Sequence, residues 1–121
     1  MVDRRAATIA TVCGTVLQLG MVLSGHTNSS IAQLFAEGGM GISLVAGLLY
    51  GKLAHQGSAA SYAVGGLIAG GVCALLGILV SFYLGDVPAM ILAVGTAGSA
   101  VAGALGGWAA RFAFGVSRTV T

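Results

Sequence analysis

Charge is what this chain has least of. Five Lys and Arg and three Asp and Glu make up 7% of 121 residues, for a net charge of +2. Soluble domains carry roughly 25% charged residues. So few charges cannot cover a water-facing surface. The small, dispersed positive balance gives no ground for a nucleic-acid partner. Proline occurs once, at Pro88, so there is no proline-rich linker. Its scarcity, with no three-residue period among the 21 glycines, also rules out a collagen-like chain. Cysteine occurs twice, at Cys13 and Cys73, each inside an apolar block. There is no CxxC, Cys/His cluster or HExxH, so a metal site, a cofactor or redox chemistry has no carrier. Each cysteine therefore reads as a small buried hydrophobe. No nucleophile–base pair, carboxylate dyad or phosphate-binding loop is present, and the chain is not expected to be an enzyme.

What remains is apolar. Hydrophobic residues make up 57% of the chain, at a mean hydropathy of +1.00. They run in four blocks, each close to the roughly 20 residues that span a bilayer. The expected fold is all-α: one domain, residues 1–121, an integral membrane bundle of four transmembrane helices. Their expected ranges are about 6–24, 31–53, 59–84 and 88–114. The charged head and first block share the outline of a signal peptide, but the block's length reads as a first span. Ser30 and Gln33 have capping-box spacing ahead of the second helix. Asp86 is the expected N-cap of the fourth, with Pro88 in its first turn.

Basic residues set the expected topology. Arg4 and Arg5 precede helix 1, Lys52 ends helix 2, and Arg111 and Arg118 lie at or beyond the end of helix 4. Four spans put all five on one side, and the positive-inside tendency makes that side, with both termini, cytoplasmic.

The richest pattern is small residues at four-residue spacing. Gly39, Ser43, Gly47 and Gly51 form one ridge, and Gly95, Ser99, Gly103 and Gly107 another. Four-residue spacing stacks these positions on one helix face. Such a ridge lets helices approach closely in lipid, as a glycine zipper. The Gly66–Gly70 pair adds a third such step. The two ridges also align with each other. Residues 39–55 match residues 95–111 at Gly39/Gly95, Ser43/Ser99, Val45/Val101, Ala46/Ala102, Gly47/Gly103, Leu49/Leu105, Gly51/Gly107 and Ala54/Ala110. The matches include Val and Leu at fixed register, so a tandem duplicated helical hairpin is expected, with halves at about 6–55 and 61–115. Convergence of two packed hairpins on Gly, Ala and Ser is the alternative.

Few polar residues fall inside the blocks. Glu37 lies seven residues past Ser30, about 10 Å in from the expected helix end. An acid at that depth usually faces a bundle interior or a wet cavity. Gln18 falls at a similar depth on helix 1. The pair is the candidate intramembrane polar site: either a proton or cation site at Glu37, or a structural Glu–Gln clasp. His26 and Asp86 occupy equivalent turns. Trp108, Tyr50, Tyr62 and Tyr83 lie near helix ends, where aromatic side chains anchor at the membrane interface.

The expected function is transport, or a channel, for a small ion or solute, by a homo-oligomer in the lipid bilayer. The alternative is a non-catalytic accessory or assembly subunit of a larger membrane complex.

Overall fold

The computed structural model describes residues 2–28, 35–54 and 57–120, with the backbone alone at 35–37 and 114–120. Among them are four helices: α1 (Arg4–Thr27), α2 (Phe35–Leu53), α3 (Ala59–Tyr83) and α4 (Ala89–Val120). The described chain is all-helical. α1, α3 and Ala89–Ala113 of α4 are each long and apolar enough to cross a membrane, and Gly38–Leu53 of α2 is a shorter apolar helix. By length and composition this is a membrane protein. The expected helix start at residue 31, with its Ser30–Gln33 cap, lies outside the described residues.

The helix ends follow local chemistry. α1 starts two residues earlier than expected because Asp3 caps it, accepting from Ala6 N at 3.1 Å. Ser58 caps α3 in the same way, accepting from Ser61 N at 3.2 Å. α3 closes in a Schellman turn: Asp86 N donates to Ser81 O, and Gly85 N donates to Phe82 O. Gly85 takes φ +80°, which is why glycine stands there. α4 opens after Pro88, and Asp86 turns its carboxylate to His26 instead of acting as the expected cap. α4 also runs past the expected residue 114 to Val120, since no proline stops it. Its 32 residues are about 48 Å long, more than the roughly 30 Å hydrocarbon core.

The helices run up and down. Asp3 N donates to the Tyr50 hydroxyl at 2.9 Å, and Arg111 Nε donates to Gly57 O at 3.4 Å. These bonds bring the start of α1, the end of α2, the start of α3 and the later part of α4 to one end. Arg4, Arg5, Lys52 and Arg111 share this basic end. His26 and Asp86 meet at the other.

α3 is the centre and packs against all three other helices. α2 packs on α1, α3 and α4, while α1 and α4 lie on opposite sides of the α2–α3 pair. The packing is therefore not two-fold: α2 meets α3 closely, but α1 does not meet α4 in the same way.

Around Gly103 the helices cross backbone to backbone. A Cβ on Gly47 would run into Gly103 O, one on Gly66 into Gly103 O, and one on Gly103 into Gly66 O. Gly70 faces Gly103 Cα and Ser99 O, at 2.8 and 2.9 Å from its would-be Cβ. Gly106 faces Leu44 O on α2, while Gly107 faces Tyr62 O on α3. Three backbones thus converge around Gly103. Tyr50 and Tyr62 are buried, ring edge to face at 6.1 Å, so they belong to the core rather than to an interfacial belt. Tyr50 lies flat over Gly65, where any Cβ would enter its ring. Tyr83, 89% exposed, and the half-exposed Trp108 do face outward as expected. Of the two cysteines, Cys73 is buried but Cys13 is exposed on the outer face of α1, contrary to the expectation for both.

Candidate functional site

α1 carries a further stripe, of mostly small residues. Ala6, Ala10, Gly14, Gln18 and Val22 stand at four-residue intervals and are all buried. Small neighbours let α1 approach α2 and α3: a Cβ on Gly14 would come within 2.9 Å of Cys73 Sγ and 3.1 Å of Ala46 Cβ. The next position on the stripe is Gln18, so the stripe delivers one polar side chain into the interior.

Gln18 is 2% exposed. Its Nε2 donates to Gly39 O at 3.0 Å and to Ser43 Oγ at 3.3 Å. Ser43 Oγ in turn donates to Gly70 O at 3.0 Å, linking α1, α2 and α3 through side chains. Cys73 Sγ also reaches Gly70 O, at 3.3 Å. Two acceptors fix the amide orientation, since the reverse flip would set one carbonyl oxygen against another. Both amide hydrogens are thereby engaged on α2, and Oε1 is left as an acceptor. Gly77 makes room for the Gln18 stem: a Cβ there would lie 2.8 Å from Gln18 Cβ.

Beyond Gln18, towards the His26–Asp86 end, the bundle opens into a cavity of about 370 Å³. All four helices line it. Met21 and Val22 come from α1, Gly39 and Met40 from α2, Ile78 and Ser81 from α3, and Ile91, Val94 and Ser99 from α4. Asp86 and Val87 stand at its outer edge. From Ala89 to Ser99 is ten residues, so the cavity descends about 15 Å, half the hydrocarbon thickness. Its walls are largely apolar. Its polar members are Gln18, Ser81, Ser99 and Asp86.

Ser81 is 2% exposed, and its Oγ has no hydrogen-bond partner among the described residues. Such a group is uncommon, because a buried hydroxyl without a partner costs about 1–3 kcal/mol. At the rim, His26 Nδ1 and Asp86 Oδ2 lie 2.8 Å apart and join the last turn of α1 to the α3–α4 turn.

Of the residues singled out from sequence, Gln18, Gly39 and Ser43 come together at the floor, and Gly95 and Ser99 line the wall. Glu37 lies in the first turn of α2, with its side chain outside the described residues, so the proposed pairing with Gln18 is not among the described contacts. Gly47, Gly51, Gly103 and Gly107 are buried at crossings inside the chain, away from the cavity. Ser81 and the α1 stripe were not singled out. The stripe's period of four was visible in Ala6, Ala10 and Gly14, but Ser81 looked like any helix-end serine. Among the described residues, no group of three or more His, Cys, Asp or Glu side chains is placed to hold a metal. Comparison with known proteins gives no match: no family model, no curated protein and no solved structure is similar to this chain.

Proposed function

We propose that this chain is a small transport protein, working as a homo-oligomer, whose solute enters the cavity above Gln18. The observation that carries this reading is one-sidedness. The cavity descends halfway through the bundle and stops at a polar floor, and below it glycine backbones close the path. A carrier sealed on one side, with a solute site at mid-depth, has this form. The glycine-zipper reading of the two ridges is supported by the burial of Gly47, Gly51, Gly103 and Gly107 at crossings. Because those ridges are occupied within the chain, contacts between copies fall to the outward faces of α1 and α4. Duplication of the hairpin is supported by the aligned residues and by the shared burial of Ser43 and Ser99. The positive-inside tendency places the basic end, with both termini, in the cytoplasm.

The accessory-subunit reading draws on α4. Only 17% of its spanning window is buried, against 44% for α3, and Val101, Leu105, Trp108 and Phe112 face outward. Such a face suits either lipid or a neighbouring subunit. Reconstitution separates the two readings. Purified protein in liposomes should pass small neutral solutes or protons faster than empty liposomes do. Glu37→Gln should abolish flux if the acid carries a proton or cation. No flux above background, together with co-extraction of other proteins at fixed ratio, would make this chain a subunit.

A further inference from the structure

We propose that the cavity selects a small neutral molecule with an apolar body and one hydroxyl or N–H donor, and discriminates against cations. This rests on the transport reading for the use of the site, but not for binding itself. The floor fixes the polarity of the ligand. Both N–H groups of Gln18 are held by Gly39 O and Ser43 Oγ, so only its carbonyl oxygen is available, and an acceptor calls for a donor. Ser81 Oγ, buried and without a described partner, can complete the pairing from α3, as donor or acceptor. Gln18 itself lines the cavity, so that oxygen lies at its wall.

The walls fix the rest. Met21, Met40, Ile78, Ile91 and Val94 offer apolar surface, and methionine adapts to irregular shapes. Among the described lining residues only Asp86 ionises. It sits at the rim, with His26 Nδ1 against its carboxylate at 2.8 Å. A cation moved to the floor would leave water for two serines and a carboxamide, with no described charge to offset its desolvation. A neutral donor loses little solvation and gains a hydrogen bond. The cavity volume lies at the lower end of the usual range for small-molecule sites, about 300–1,000 Å³.

The test uses three matched probes with the full-length protein in nanodiscs, read by fluorine NMR against empty nanodiscs. They are 4-fluorobenzyl alcohol, 4-fluorotoluene and 4-fluorobenzyl-trimethylammonium. One added hydrogen bond predicts that the alcohol binds about fivefold more tightly than the toluene. The cation should bind more weakly than either. Ser81→Ala, which removes a hydroxyl that bonds nothing described, should fold normally and narrow the gap between alcohol and toluene affinities, while Gln18 Oε1 still accepts from the alcohol. Gln18→Leu should close the gap if it folds. Equal affinities in the parent, a preference undiminished in Ser81→Ala, or a cation bound as tightly as the alcohol would each overturn the proposal. Alcohol preference without liposome flux would leave this site standing and overturn transport. Flux without preference would do the reverse.

Discussion

Gly103→Ala tests the packing at its most constrained point. The added methyl would meet Gly66 O and lie 2.9 Å from Gly70 Cα. Both neighbours are backbone, so no flexible side chain can swing aside. The helices must separate by several tenths of an ångström to reach ordinary contact. That movement is shared, because Gly47 and Gly66 also face Gly103 O. Overpacking of a rigid site costs about 1–3 kcal/mol, and convergence of three helices argues for the upper end. The reference variant is Gly41→Ala, at a position where nothing lies within 4 Å of the would-be Cβ. There alanine replaces glycine in a helix and should be neutral, or stabilise by up to about 1 kcal/mol. Reversible unfolding in mixed micelles should separate the two variants by about 3 kcal/mol. If Gly103→Ala unfolds at the same point as Gly41→Ala, the backbones do not touch at Gly103. Gly103→Leu should prevent folding of the monomer, a stronger effect than loss of assembly alone.

Tyr50→Phe should lower stability by about 1 kcal/mol, since it removes the hydroxyl that accepts from Asp3 N while keeping the ring over Gly65. A variant as stable as the parent would show that the start of α1 is not tied to α2. The cysteines should label differently in mild detergent at alkaline pH, where thiolate can form at the protein surface. A small maleimide should modify the outward-facing Cys13 faster than the buried Cys73, which should react fully only once the protein is unfolded. Equal labelling of both in the folded state would place Cys73 at the surface. His26→Ala should change stability by less than about 1 kcal/mol, and by less still in high salt, because its pair with Asp86 is partly exposed. A larger, salt-independent loss would mean that the pair is shielded from water.

Helix number and order were legible because spans are written in long apolar blocks, whose length is set by the bilayer and not by neighbours. That Arg4, Arg5, Lys52 and Arg111 share one end was legible from the alternation of four spans, and the structure brings them together. The ridges at Gly47–Gly51 and Gly103–Gly107 were legible as contact surfaces, but their partners were not. Spacing says that a face is smooth; it does not say which helix lies on it. Tyr50 and Tyr62 illustrate the same limit. A tyrosine near a helix end has an apolar ring and a polar tip, which suits an interface equally well as a core with a backbone partner. The structure supplies those partners, Asp3 N for Tyr50 and Ala54 O for Tyr62. Gln18 was legible as a buried polar group. Its partners were not: Gly39 O is a backbone atom that any sequence would offer, and Ser43 read only as part of a packing ridge.

The cavity follows from how the glycines of the two halves are answered. Around Gly103, glycine faces backbone: Gly47 and Gly66 face Gly103, and Gly107 faces Tyr62 O. That junction cannot change shape without moving a helix. In the other half, glycine faces side chains. Gly38 is met by Met21 Sδ, Gly95 by Ile78 Cδ1 and Gly98 by Met40 Cε. Those same three side chains line the cavity. They hold the helices further apart than a backbone contact would, and they can change rotamer while the helices stay in place. Wall adjustment therefore costs rotamer changes in the open half and helix separation in the closed half. Any movement that admits a solute is easier at the His26–Asp86 end. On the proposed transport reading, passage to the basic end requires the contacts around Gly103 to part, and that junction would set the rate.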